Sequence, residues 1–134
     1  MTITGIQELE LIIGMHYRIP KDYLCSRLGI SKDSKIENQE EKNRAVTEYR
    51  TYGMEFFDIM HYHSQREANN IKPKEEELKE YREAIKKLEQ MEKEKIRNIS
   101  KLFYTDIKEV AETFNKMQNI RTEYRKEKAT RKNS

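Results

Sequence analysis

The chain has 134 residues, of which 35% are hydrophobic and 38% charged, with a mean hydropathy of -1.07. So little apolar material excludes a thick, sphere-like core and leaves either disorder or long helices that bury narrow stripes. The charges nearly cancel, 27 basic against 24 acidic for a net +3, which excludes a strongly acidic nucleic-acid mimic and a heavily basic nucleic-acid coat.

A single cysteine, Cys25, rules out an internal disulfide and is compatible with a reducing, cytoplasmic setting. The apolar run "LELIIGM" near the N-terminus is too short to span a membrane and lacks the basic leader and cleavage site of a signal peptide. No membrane partner is expected.

Residues from Thr4 to about His16 suit a first helix, because Ile6, Leu9, Ile12 and Ile13 recur at helical spacing. Thr2 or Thr4 is its expected cap. Pro20 suits the first turn of a short second helix, where its missing N–H costs nothing. Gly29 suits the left-handed position that closes that helix. The stretch "SKDSKIENQEEKN" has no apolar repeat and reads as a loop that turns helical near its end.

From about Glu40 to Asn69 the pattern is helical, with Val46, Tyr49, Gly53, Phe56, Met60 and His63 on one face and Tyr52, Ile59 and Tyr62 widening it. A glycine inside a helix costs about 1 kcal/mol relative to alanine. Close approach of another helix at Gly53 would compensate. "NNIKP" ends the helix, since the residue before a proline is pushed out of the helical region.

Beyond Pro73 there is neither glycine nor proline. A long stripe follows: Leu78, Tyr81, Ile85, Leu88, Met91, Ile96, Ile99, Leu102, Val110, Phe114, Met117, Ile120 and Tyr124. Its mean step of roughly 3.5 is the coiled-coil value. Glu75 with Lys79, Glu83 with Lys87 and Glu89 with Lys93 are correctly ordered i,i+4 pairs. One reading is a single helix roughly 75 Å long. The other, favoured, is a helical hairpin broken near "FYTDIKE", where Asp106 and Glu109 resemble a capping box.

"KDYLCSRLGISKDS", residues 21–34, resembles the first half of a helix-turn-helix. That motif needs apolar residues one turn apart, a small residue where the second helix crosses, a turn residue tolerant of positive φ, and an apolar plug. Leu24, Cys25, Leu28, Gly29 and Ile30 supply these in order. The second half fits badly: the recognition helix should start near Lys32, and its anchor positions hold Lys35 and Asn38. Taken alone, the segment is better explained as an ordinary helix capped by Gly29. On the DNA reading, Lys21, Arg27, Lys32, Lys35, Lys42 and Arg44 would meet phosphates, helped by Arg125 and Arg131 in the basic tail, and Asn38, Gln39 and Asn43 would reach base edges. Asp33, Glu37, Glu40 and Glu41 count against it.

Other constellations are weaker. Asp58 and His61 have the spacing of di-metal bundles, but no matching carboxylates are evident, so no metal site is expected. Cys25 reads as packing rather than a nucleophile. The aromatic belt of Tyr49, Tyr52, Phe56, Phe57 and Tyr62 reads as core or subunit interface before base-stacking platform. No phosphate-cradling glycine loop, cofactor or small-molecule substrate is indicated.

The expected fold is all-α: a helical head over 1–39, a bundle or coiled-coil region over 40–128 that oligomerises through Leu78, Tyr81, Ile85, Leu88, Ile99, Leu102, Val110, Phe114 and Met117, and a basic, frayed tail over 129–134. The layout resembles that of small phage or mobile-element DNA-packaging and regulatory proteins. The resemblance implies a non-enzymatic DNA-binding homo-oligomer. The rival expectation is a helical adaptor, inhibitor or assembly factor that grips a protein partner.

Overall fold

The computed structural model describes residues 3–132, with the side chain of Lys132 outside the description. It is all-α: among the described residues there are five helices, α1 (Gly5–His16), α2 (Lys21–Leu28), α3 (Gln39–Ala68), α4 (Glu75–Leu102) and α5 (Ile107–Lys132), and no strand. The fifth helix runs through the basic tail to Lys132.

Helix α1 begins as its sequence dictates. The Thr4 hydroxyl accepts the Gln7 N–H at 3.4 Å, and the Gln7 side chain accepts the Thr4 N–H at 2.9 Å, a complete capping box. Thr2, the alternative cap, lies outside the described residues. Leu9 to Gly14 are all buried, so this short helix is covered on nearly every side, with α2, α3 and α5 packed around it. Leu9, Ile12 and Ile13 meet Leu24, Val46, Ile99, Phe103, Val110 and Met117 in one core. Two glycines let its neighbours come close. A Cβ at Gly14 would lie 2.3 Å from a Leu24 methyl, and one at Gly5 would lie 1.9 Å from the Phe103 carbonyl oxygen.

Helix α2 starts after Pro20 and stops at Gly29, whose φ of 67° is the left-handed closure that the glycine predicts. Three other helix ends use the same left-handed closure without glycine, at Arg18, Asn70 and Tyr104. In each, paired backbone bonds satisfy the last carbonyls; at Tyr104, for example, Thr105 N–H reaches Ser100 O at 3.1 Å. The break between α4 and α5 falls at residues 103–106, where the hairpin reading places it. Glu109 accepts the Asp106 N–H at 3.4 Å, as a capping box requires, and also the Thr105 hydroxyl.

Helices α3 and α4 form the long feature of the molecule. They are antiparallel, pinned near the head by Lys95–Glu48 (2.9 Å) and near the far end by Arg66–Glu77 (2.9 Å). At about 1.5 Å per residue each is over 40 Å long, yet none of residues 47–87 is fully buried. The pair therefore leaves the head as a two-helix arm, which turns at 69–74.

The glycine contacts lead to a ranking. Gly14→Ala should cost about 1–3 kcal/mol in urea denaturation, because a buried Leu24 must move. Gly5→Ala should cost more, because the obstructing atom belongs to the backbone. Equal stability of both variants with the parent would refute the close packing of α1.

Candidate functional site

The segment with the helix-turn-helix resemblance does not complete a recognition helix. Residues 30–38 form turns and extended chain, and the next helix begins only at Gln39, with Asn38 in the left-handed region at φ 52°. The physical reason is the missing apolar anchor: Lys35 and Asn38 stand where a second helix would bury two side chains, and after the Ile30 plug only Ile36 packs against the core.

The expected phosphate contacts are scattered. Lys21 opens α2 and is exposed, Lys35 is exposed in the turn region, and Arg44 and Arg125 are exposed on α3 and α5. Arg27 is paired with Glu123, and Lys32 with Asp22 at 3.2 Å. Arg131 is exposed near the end of α5 and makes an electrostatic or hydrogen-bonding contact of its own. Of the base-edge candidates, Asn43 is hydrogen-bonded to the His16 side chain.

Lys42 requires a correction. It is 6% exposed, its ammonium lies 2.7 Å from Glu8 and 5.5 Å from the Phe103 ring centroid, and it faces the core rather than a phosphate. Its position one turn before Ala45 and Val46, on the buried face, is the sequence signal for that burial.

The C-terminal stripe is also placed differently from the expectation. Leu88, Ile99, Val110, Phe114 and Met117 are buried, and Leu78, Tyr81, Ile85 and Leu102 half-buried, within this one chain. Helix α4 turns its stripe onto α3, and α5 turns its own onto α1. These residues therefore do not form a free oligomerisation face. The aromatic belt divides likewise. Tyr49 sits 4.7 Å from the Phe114 ring, and burial followed by Glu92 pushes its hydroxyl up to about 12. Tyr52 lies under Lys95, while Phe57 and Tyr62 are exposed.

Four exposed large hydrophobic side chains, Met54, Phe57, Met60 and Tyr62, gather on α3, whereas Ile6, Met15, Ile71, Tyr104 and Ile107 are spread over other segments. Gly53, Phe57, Met60, Ser64 and Ala68 follow one another at steps of four, three, four and four, which aligns them along one flank of the arm. Phe57 is 65% exposed and Met60 43%, with Met54 beside them at 64%. Nothing approaches within 4 Å of a Cβ built on Gly53, so the close helix contact expected there is not made within the chain. His61 stacks on Phe57 at 5.7 Å with the rings 9° from parallel. Met60 also takes the Tyr81 hydroxyl at 2.9 Å and borders an open cleft of about 710 Å³ near the arm's end, between Ile71, Pro73 and Leu78.

Asp58 and His61 are exposed, whereas His63 turns inward against Tyr81, 3.9 Å between ring centroids. Among the described residues no group of three or more His, Cys, Asp or Glu is placed to hold a metal ion. Cys25 is buried in the core. No helix among the described residues is long and apolar enough to cross a membrane. No protein family matches the sequence, and no curated protein or solved structure is significantly similar to it.

A second cluster, without a sequence signal, gathers at the end of α1. Arg50 donates to the His16 carbonyl at 3.1 Å, and both Arg50 and Arg121 lie against the Tyr17 ring. Burial, then the Arg50 charge, lowers the His16 pKa below its ordinary 6.5, opposed by the Asn43 hydrogen bond. The folded protein therefore resists protonation there more than the unfolded chain does. His16 contributes stability that is complete above pH 6.5 and lost as pH falls through the depressed folded value. The urea midpoint should drop between pH 7 and pH 5, and His16→Gln should flatten that part of the profile. A profile unchanged by the substitution would contradict the assignment.

Proposed function

We propose that the chain is a non-enzymatic helical interaction module, in which the head holds out the α3–α4 arm and the arm pairs with a second copy along the Gly53–Ala68 seam. The observation that carries this reading is the uncovered seam itself: a helical run of small and large apolar residues with an open glycine, on a chain otherwise short of apolar side chains. Clustered exposed hydrophobes of this kind mark interaction sites.

Self-pairing is favoured by the order of the residues. Laid antiparallel about a twofold near Met60, the seam sets Gly53 against Ala68 of the second copy, and Phe57 against Ser64. Phe57 then meets the small Ser64, the two small residues face each other at the ends, and Met60 lies at the twofold, so the same patch serves on both copies, as an isologous interface needs. The free seam is about 24 Å long at 1.5 Å per residue. It lies beyond Arg50, whose side chain donates to the His16 carbonyl of the head.

Nucleic-acid binding remains a second reading. Its support is no longer the 21–44 segment but the two arginines on Tyr17.

Sedimentation equilibrium tests the seam. The parent should dimerise, and Phe57→Glu should weaken the dimer by at least about 2 kcal/mol, roughly thirtyfold, while leaving the helical circular dichroism unchanged. Gly53→Ala separates the two states further. It should stabilise an isolated arm by about 1 kcal/mol through helix propensity, yet weaken the pair. A parent that stays monomeric at high concentration would overturn self-pairing.

A further inference from the structure

Of the five lysine and arginine side chains among the described residues that are buried or half-buried, three are ion-paired within the chain: Lys42 to Glu8, Arg66 to Glu77 and Lys95 to Glu48. Arg50 and Arg121 are the other two, and neither is ion-paired. They come from different helices, α3 and α5, and converge on one aromatic ring, with guanidinium carbons 5.0 Å and 5.5 Å from the Tyr17 centroid. Arg121 Nε is shut off from solvent and has no hydrogen-bond partner. Glu92, on the adjoining face of α4, is engaged by the Tyr49 hydroxyl at 3.4 Å and pairs with neither arginine.

Both guanidiniums are partly desolvated without an ion pair, and cation–π attraction to the shared ring offsets only part of that cost. Arg50 is explained in part by the His16 carbonyl, the negative end of α1. Arg121 has no such contact. The surroundings add positive charge: Arg18, exposed in its left-handed turn, follows Tyr17, and Arg125 stands one turn beyond Arg121.

We propose that Arg50 and Arg121, with the Tyr17 ring as their common platform, bind a phosphate group. Two planar forks supply several directed N–H donors, which suits a tetrahedral dianion or phosphodiester. The phosphate is carried either by a small phosphorylated molecule or by a nucleic-acid backbone. The site is separate from the Gly53–Ala68 seam and does not depend on its role.

The experiment is calorimetric titration of the full chain with inorganic phosphate at low ionic strength, against chloride at matched ionic strength, beside anisotropy titration of a short labelled DNA duplex. Saturable phosphate binding, weakened about tenfold or more by Arg121→Gln, supports the site. Arg121→Lys should fall between, since it keeps the charge and loses the fork. Duplex binding far tighter than phosphate binding, with the same dependence on Arg121, assigns the phosphate to a nucleic acid; comparable affinities assign it to a small molecule. Circular dichroism confirms that the variants are folded. The proposal is overturned if neither probe binds the parent above the chloride control, or if folded Arg121→Gln binds as the parent does.

Discussion

Everything in this molecule hangs on the burial of α1. A chain with 35% hydrophobic residues cannot surround several long helices with core, and it does not try. It concentrates its aliphatic side chains in one twelve-residue helix, Leu9 to Ile13 above all, and lets α2, α3 and α5 each turn one narrow stripe towards it. Each long helix needs to be apolar on only one side, and only over the length that α1 reaches. Two carboxylates on this buried helix are held by partners from the surrounding elements: Glu8 by Lys42 of α3 and Glu10 by Lys116 of α5, each at 2.7 Å. Such partly buried pairs fix how the long helices seat on α1, because a mispaired carboxylate there would be left desolvated.

The arm is the consequence. Helix α3 is far longer than α1, on which it packs, and α4 follows α3, so the two outrun the core and support each other through stripes that hold no fully buried residue over 47–87. A two-helix pair with a thin interface is weak support for an isolated structure, and a further helix layer is the usual remedy. The seam on α3 offers a surface for that layer. On the proposed reading, packing at this seam would account for a glycine in the middle of a thirty-residue helix where no intramolecular contact calls for it.

Much of this was legible in the sequence, because local chemistry decides it. The Thr4 cap, the Pro20–Gly29 limits of α2, the end of α3 before Pro73 and the break at 103–106 each follow from one or two residues whose conformational preferences are strong. The periodic stripe of residues 78–124 was equally plain. Periodicity identifies the face that is buried, however, and not the molecule that buries it; α1 and α3 of the same chain do so. The closures at Arg18 and Tyr104 were hidden, since neither residue is one that favours positive φ. The grouping of Tyr17, Arg50 and Arg121 was hidden for a different reason: residues so far apart in the chain are brought together only by the way α3 and α5 flank the end of α1. The helix-turn-helix likeness failed at the step that depends on burial, where lysine and asparagine occupy the anchor positions of a helix that consequently does not form.

The central claim is that the flank of α3 from Gly53 to Ala68 is covered in the assembled protein. Hydrogen–deuterium exchange measured across a range of protein concentrations tests it most directly. Amides of residues 53–68 should gain protection as concentration rises, while those of α1 and of the buried part of α5 exchange at a constant rate. Protection along the arm that is low and the same at every concentration would contradict the account.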